Sequence, residues 1–196
     1  MSALDRALHE FLRIVPKHVQ LALVGGIAVS ARTEPRFTRD LDFAISVASE
    51  QEAESLVLEL RHLGYAIEMV LENAVKAKLS TVRLRRAPRS PIIDLLFAAS
   101  GIEPEVVAEA ELIEIGGSVL APVARVGHLI AMKLLSRDHK RRPNDQQDLT
   151  SLAKVADEVE WSRAKSSIDL IIARGYGRGR DLHAGLDEIQ AIWSDQ

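Results

Sequence analysis

The stretch "LVGGIAVSARTEPRFTRDLDFAI", residues 23–45, joins an apolar run, a glycine pair, a short run of small residues and two aspartates one residue apart. Side chains two positions apart in a strand lie on the same face. The large apolar residues of "DLDFAISV" (40–47) therefore share one face, while Asp40 and Asp42 share the other with Ala44 and Ser46. The stretch predicts a strand, a glycine turn, a short helix and a second strand that has one apolar and one acidic face.

Two carboxylates side by side repel each other, so they raise each other's proton affinity or require a cation. Hard oxygen ligands of this kind suit Mg²⁺ or Mn²⁺, and Mg²⁺ sites typically combine one or two carboxylates with substrate phosphates. A turn without side chains at Gly25 and Gly26 would let the backbone N–H groups of a helix start approach phosphate oxygens. The combination indicates a phosphate-bearing substrate. Taken singly, the glycines are also typical of an ordinary tight turn, and the aspartates of a solvated strand start.

A third acid, Asp94, lies in the otherwise apolar run "SPIIDLLFAA" (90–99). A lone carboxylate in a buried strand is costly unless it is paired or bound to a metal. Beside Asp40 and Asp42 it would complete a two-metal site or deprotonate an attacking hydroxyl group. Pairing with an arginine is the alternative.

The composition narrows the class of protein. The chain of 196 residues is 47% hydrophobic, has a formal net charge of −3 and contains no cysteine. Disulfides and thiolate metal sites are thereby excluded, and nucleic-acid contacts would have to come from local basic patches. No apolar run is long enough to span a bilayer, and the amino-terminal segment does not resemble a signal peptide, so we expect a cytoplasmic protein.

The pattern along the chain predicts an α/β (α+β) fold, with a mixed sheet flanked by helices in residues 1–121 and a helical region in residues 122–196. Besides the opening stretch, periodicity predicts three further strands, at 65–71, 79–86 and 91–98. Helices are expected over 3–14, 49–63, 125–137, 144–157, 161–175 and 181–193.

These motifs resemble the nucleotidyltransferase superfamily of the DNA polymerase β type, whose shared pattern is a glycine turn, a short helix, an Asp-x-Asp strand and a third acid on a later strand. More narrowly, "GGIAVSARTEPRFTRDLD" (25–42) looks like the AbiEii/AbiGii and MenT toxin families, in which Arg-x-Thr-x-Asp-x-Asp follows the turn. A weaker similarity continues through "LIAMKLLSRDHKRRPNDQQDL" (129–149).

The resemblance implies a mixed-sheet nucleotidyltransferase core and a transfer of nucleoside monophosphate from a nucleoside triphosphate (NTP) to a hydroxyl group on RNA such as tRNA, a protein or a small molecule. It also implies ATP or another NTP as substrate, Mg²⁺ or Mn²⁺ as cofactor, and an antitoxin as partner. The residues implied as metal-binding and catalytic are Asp40, Asp42 and Asp94. Those implied as nucleotide-binding are Gly25, Gly26, Thr38, Arg39, Lys133, Asp145 and Asp148.

Basic residues are candidates for further phosphate contacts. Arg83 and Arg85 share one face of a predicted strand near the acids, where they would contact either the triphosphate or an acceptor, or simply protect a sheet edge. The run "RDHKRRPND" (137–145) is either a charged linker or part of the site.

Two other functions fit part of the pattern. A non-catalytic module would bind a nucleotide or a partner without turnover. A glycosyltransferase would use Asp-x-Asp to hold a metal and a nucleotide sugar, although the glycine turn upstream suits that class less well.

Overall fold

A computed structural model describes residues 2–73, 78–117, 119–137 and 143–194 of the chain. In this part of the chain, seven strands form one mixed sheet in the order β3-β4-β5-β2-β1-β7-β6. The strands are β1 (Gln20–Val24), β2 (Asp40–Ser46), β3 (Ala66–Asn73), β4 (Lys78–Arg85), β5 (Ile92–Leu96), β6 (Glu111–Ile115) and β7 (Val119–Val123). The helices are α1 (Ala3–Ile14), α2 (Gly25–Arg32), α3 (Glu50–His62), α4 (Glu103–Ala108), α5 (Val126–Ser136), α6 (Pro143–Val155), α7 (Glu158–Ala173) and α8 (Leu182–Ser194). The predicted α/β class with a mixed sheet is confirmed.

Strand β2 lies in the middle of the sheet, antiparallel to β1 and parallel to β5. This pairing places Asp42 opposite Val24 on one side and opposite Asp94 on the other. Strand β4 runs antiparallel to β5 and places Arg83 opposite Asp94. Because residues opposite each other on neighbouring strands share a face, the register brings Asp42, Asp94 and Arg83 into one row.

The apolar face of β2 forms part of the core, as its alternation predicts. Leu41, Phe43 and Ile45 are buried, and the Phe11 ring of α1 lies 4.8 Å from the Phe43 ring between centroids. Helix α1 begins at a capping box in which Ser2 and Asp5 accept each other's backbone N–H. Burial of this face fixes the register, because a slip of one residue would turn the acids into the core.

The helical region packs on α2, the helix that begins at the glycine pair. Helix α2 contacts both α5 and α6, and α5 packs on α7 and α8. The crossing of α5 and α7 is close at Gly127, where a Cβ atom would lie 2.4 Å from the backbone oxygen of Glu160. No helix in the described ranges is both long and apolar enough to cross a membrane.

Several elements differ from the sequence-based expectations. Helix α4 and strands β6 and β7 were not individually predicted, and α7 begins three residues early because Asp157 caps it by accepting the N–H of Glu160. The boundary expected after residue 121 falls inside β7, which is part of the sheet. The division of the chain into two domains therefore stays a prediction.

Candidate active site

The glycine pair begins helix α2 in direct contact with the acidic strand. Gly25 has φ +64°, and a Cβ atom there would lie 2.0 Å from Oδ2 of Asp42. A Cβ atom on Gly26 would lie 2.8 Å from Oγ1 of Thr38 and 3.0 Å from Nη2 of Arg36. Only glycine fits at both positions, and the first N–H groups of a helix, which lack intrahelical partners, therefore lie beside Asp42 and Thr38.

The short helix was expected over residues 27–31 and starts two residues earlier, at Gly25. The glycines therefore belong to the first turn of the helix rather than to a loop before it. Because the positive end of a helix dipole attracts anions, this turn is suited to a phosphate group.

The three acids lie on neighbouring positions of β2 and β5. Asp94 is directly opposite Asp42, and Asp40 lies two residues before Asp42 on the same face. Burial, together with the Asp94 carboxylate, raises the pKa of Asp40 above its ordinary value, while Arg83 and Arg85 act in the opposite direction. The site therefore concentrates negative charge, as the sequence predicted.

Asp94 is paired with an arginine. It is only 8% exposed, and its two oxygens accept hydrogen bonds of 2.8 and 2.7 Å from Nε and Nη2 of Arg83. The sequence left two partners open for a buried Asp94, a metal ion or an arginine, and the structure contains the arginine. This two-pronged contact also raises the pKa of the Arg83 guanidinium.

The carboxylates that are available as ligands decide which kind of metal ion could bind here. Within the described residues, no cluster of three or more His, Cys, Asp or Glu side chains is arranged to hold a metal ion. Asp40 and Asp42, however, offer two carboxylates on one face beside the glycine turn, and Mg²⁺ commonly takes one or two carboxylates and completes its shell with phosphates and water. These two residues fit a divalent ion of that kind.

A buried ion cluster links the glycine turn to the helical region. Asp148 of α6 is fully buried and accepts hydrogen bonds of 2.5 and 2.6 Å from Arg36. Nζ of Lys133 lies 2.7 Å from Asp148 and 2.8 Å from Asp145. The structure thus brings together Lys133, Asp145 and Asp148, and joins them through Arg36 to Gly26.

A cavity of about 570 Å³ opens beside Asp40. Its walls include apolar side chains and the exposed ring of Phe37, with the Arg39 guanidinium carbon 5.4 Å from the ring centroid. Arg85 and Arg89 also line it. Arg39 and Thr38 both line this cavity, and Thr38 also lies against Gly26.

The other basic residues that the sequence suggested as candidates are Arg85 and the run at 137–145. Arg85 donates to Glu68 of the edge strand β3 and to the backbone oxygen of Ser90, so it is held at the end of the inner strand β4. Of the run at 137–145, residues 138–142 lie outside the described residues.

The sequence predicted that Arg83 lies near the acids, but its pairing with Asp94 in particular follows from the β4–β5 register. The sequence did not predict that Arg36 binds Asp148. Arg36 occupies the same alternating series as Thr38 and Asp40, which was the available signal.

A helix-starting glycine turn against an Asp-x-Asp strand in a mixed sheet is the arrangement expected of a nucleotidyltransferase. The family described as "Nucleotidyl transferase AbiEii toxin, Type IV TA system" matches residues 6–193. The chain belongs to this family and is a nucleotidyltransferase of the toxin–antitoxin class. The resemblance to AbiEii and the assignment as an enzyme are thereby confirmed.

Three solved structures are similar to this chain at low identity. ANT(2")-Ia in complex with adenylyl-2"-tobramycin is 15% identical, with 99% of this chain and 98% of that chain covered and a TM-score of 0.49. The lincosamide antibiotic adenylyltransferase LnuA with lincomycin bound is 16% identical, with 79% and 96% covered and a TM-score of 0.47. MenT4, the nucleotidyltransferase toxin Rv2826c from Mycobacterium tuberculosis H37Rv, is 15% identical, with 97% and 91% covered and a TM-score of 0.45. At these scores the similarity supports no functional conclusion, and among curated proteins no sequence matches this chain.

The buried cluster gives a first prediction. Asp148→Asn leaves the charges of Arg36 and Lys133 without their shared carboxylate, so we expect the free energy of unfolding to fall by about 3 kcal/mol. Asp169→Asn is the matched control, because Asp169 makes an exposed contact of 3.1 Å to His183, and we expect a change below about 0.5 kcal/mol. Urea denaturation measures both, and equal effects would contradict the structural role of Asp148.

The raised pKa of Asp40 gives a second prediction. A folded-state pKa above the unfolded one means that the charge of Asp40 disfavours folding at neutral pH, and that this penalty disappears as the pH falls through the folded-state pKa. We expect Asp40→Asn to raise the Tm of the metal-free protein at pH 7, and the gain to shrink as the pH falls. Thermal denaturation as a function of pH tests this, and a lower Tm at pH 7 would refute it.

Proposed function

We propose that the protein transfers a nucleoside monophosphate from an NTP, such as ATP, to a hydroxyl group of an acceptor, with Mg²⁺ or Mn²⁺ as cofactor. One observation carries the proposal: the first turn of α2 touches the Asp-x-Asp strand, with the Cβ position of Gly25 only 2.0 Å from Asp42. Phosphate binding and metal binding would thus be adjacent, as a metal–triphosphate substrate requires.

Within this proposal the predicted residues have separate roles. Asp40 and Asp42 would hold the divalent ion, which, when bound, supplies charge stabilisation for the triphosphate. Gly25, Gly26 and Thr38 would contact phosphate oxygens. Lys133 forms ion pairs with Asp145 and Asp148. It would have to loosen these contacts to approach the triphosphate.

The reaction balances without a further reactant. An acceptor hydroxyl oxygen attacks the α-phosphorus, and a new oxygen–phosphorus bond forms. The bond from the α-phosphorus to the oxygen bridging it to the β-phosphorus breaks, and pyrophosphate leaves with that electron pair. The hydroxyl proton passes to solvent or to a nearby base. The protein contributes positioning and charge neutralisation.

The cavity beside Asp40 supports an RNA acceptor, such as a tRNA end. Single-stranded nucleic acid is commonly bound by aromatic rings that stack on bases and by arginines that contact phosphates. Phe37 is 78% exposed, and Arg39 and Arg89 are exposed on the same cavity. Arg39 lies over the Phe37 ring and interacts electrostatically with Asp40.

As a toxin of this family, the protein would act in the cytoplasm together with an antitoxin protein that restrains it. The family description supports the pairing with an antitoxin.

Transfer is tested by incubating the protein with Mg²⁺, each labelled NTP in turn and a total cell extract. We expect one or more nucleotides to label RNA, and Asp42→Asn to lower the rate by at least about 100-fold, because one of two metal-binding carboxylates is lost. Nuclease and protease treatment identify the labelled acceptor.

Asp187→Asn is the matched control, because it removes an exposed carboxylate remote in sequence from the site, and it should keep full activity. Nucleotide binding without any labelled acceptor would favour the non-catalytic alternative. Label entering protein or small molecules would refute RNA as the acceptor while leaving nucleotidyl transfer in place.

A further inference from the structure

A second cavity, of about 550 Å³, is lined by residues of α4, α5 and α7. None of the described residues on its walls belongs to the acidic site or lines the cavity beside Asp40. His128 contributes from the first turn of α5, and Glu105 and Glu109 contribute from α4 and from the residue that follows it. One face of α7 supplies the rest of the wall. A ligand bound here would occupy a place separate from the proposed active site.

His128 is a buried polar residue on this wall. It is 2% exposed, and its Nδ1 atom has no hydrogen-bond partner among the described residues. Burial lowers the pKa of the imidazole, and the charge of Arg163 acts in the same direction. Glu109, Glu160 and Glu105 oppose this effect. The ring is therefore neutral at neutral pH, with one nitrogen that donates and one that accepts.

A buried polar atom without a partner is unusual in a folded protein, because leaving it desolvated costs free energy. A ligand that forms a hydrogen bond to His128 would remove this cost. Ser167 lines the same cavity and is 4% exposed, so its hydroxyl group, which both donates and accepts, offers a second buried contact. Two buried polar side chains thus face one cavity.

The charged groups on the walls favour a cation. The guanidinium group of Arg163 is engaged by carboxylates, because Nε donates to Glu109 at 2.7 Å and Nη1 donates to Glu160 at 2.5 Å. Glu158, an exposed residue in the first turn of α7, forms no ion pair within the part of the chain that the structure describes. Its carboxylate is available to a positive charge, whereas it would repel an anion.

The same wall also carries apolar surface. Val159 is 62% exposed and Leu170 is half-buried, and both line the cavity. An aliphatic chain of a few carbon atoms would bury apolar area against these two side chains.

We propose that this cavity binds a small aliphatic diamine or polyamine. One ammonium group contacts Glu158, the carbon chain lies along Val159 and Leu170, and a second amino group bonds to the buried pair of His128 and Ser167. This inference goes beyond the proposed nucleotidyl transfer and does not depend on it.

The experiment titrates the full chain with putrescine (1,4-diaminobutane), without nucleotide or metal, and measures binding by calorimetry and histidine side-chain signals by NMR. We expect one putrescine per chain with a Kd below about 1 mM. Among the six histidines, the signals of His128 should shift most. 1,4-Butanediol, which has the same chain length and no charge, should bind at least about tenfold more weakly.

Variants separate a binding role from a structural one. Glu158→Gln should weaken putrescine binding by at least about fivefold, whereas Glu54→Gln, an exposed glutamate of α3 outside the cavity, should stay within about twofold of the wild type. Ser167→Ala should weaken binding by about threefold or more. His128→Leu should abolish it without lowering the Tm, because it removes a buried polar atom that has no partner in the described residues.

The inference is overturned if the wild type binds no putrescine, which would leave the cavity to water molecules, or if putrescine binds without moving the His128 signals. It is also overturned if His128→Leu lowers the Tm and binds putrescine as tightly as the wild type, which would make His128 a structural residue. Should His128→Leu fail to fold, Ser167→Ala and Glu158→Gln decide, and wild-type affinity in both would refute the site. None of these results bears on nucleotidyl transfer, because the titration contains neither NTP nor acceptor.

Discussion

Helix α2 starts in close contact with strand β2 and with the loop that precedes it. A Cβ atom on Gly25 would lie 2.0 Å from Oδ2 of Asp42, and one on Gly26 would lie 2.8 Å from Oγ1 of Thr38. This close approach makes the turn and the acids one site, because the helix N–H groups and the carboxylates face the same volume. A side chain at Gly25 would have to displace the Asp42 carboxylate.

Arginine and lysine side chains hold the acidic site together from two sides. On one side, Arg36 connects the glycine turn to the fully buried Asp148, which also binds Lys133 of α5. On the other side, Arg83 holds Asp94. The buried carboxylate of Asp148 thus ties the helical region to the loop before β2. A buried ion cluster therefore joins the loop before β2 to the carboxyl-terminal helices, although they come from separate segments of the chain.

The sequence was sufficient for the features that repeat locally. Alternation in β2 predicted both its buried face and its acidic face, and the helix expected over residues 49–63 is observed as α3, where Ser49 accepts the N–H of Glu52. It was not sufficient for partners that depend on tertiary register. Arg36 and Asp148 are 112 positions apart, and no local pattern connects them. Strand β6 was not predicted because its exposed positions are partly apolar. Strand β7 was not predicted because it contains Pro122, and proline is uncommon within strands.

The central claim is that the glycine turn and the Asp-x-Asp strand bind one metal–triphosphate substrate. A crystal structure of the protein with Mg²⁺ and a non-hydrolysable NTP tests it most directly. The account predicts one Mg²⁺ ion on Asp40 and Asp42, with phosphate oxygens on the backbone N–H groups of Gly25 and Gly26. A triphosphate bound away from this turn, or a Mg²⁺ ion that contacts neither aspartate, would contradict it.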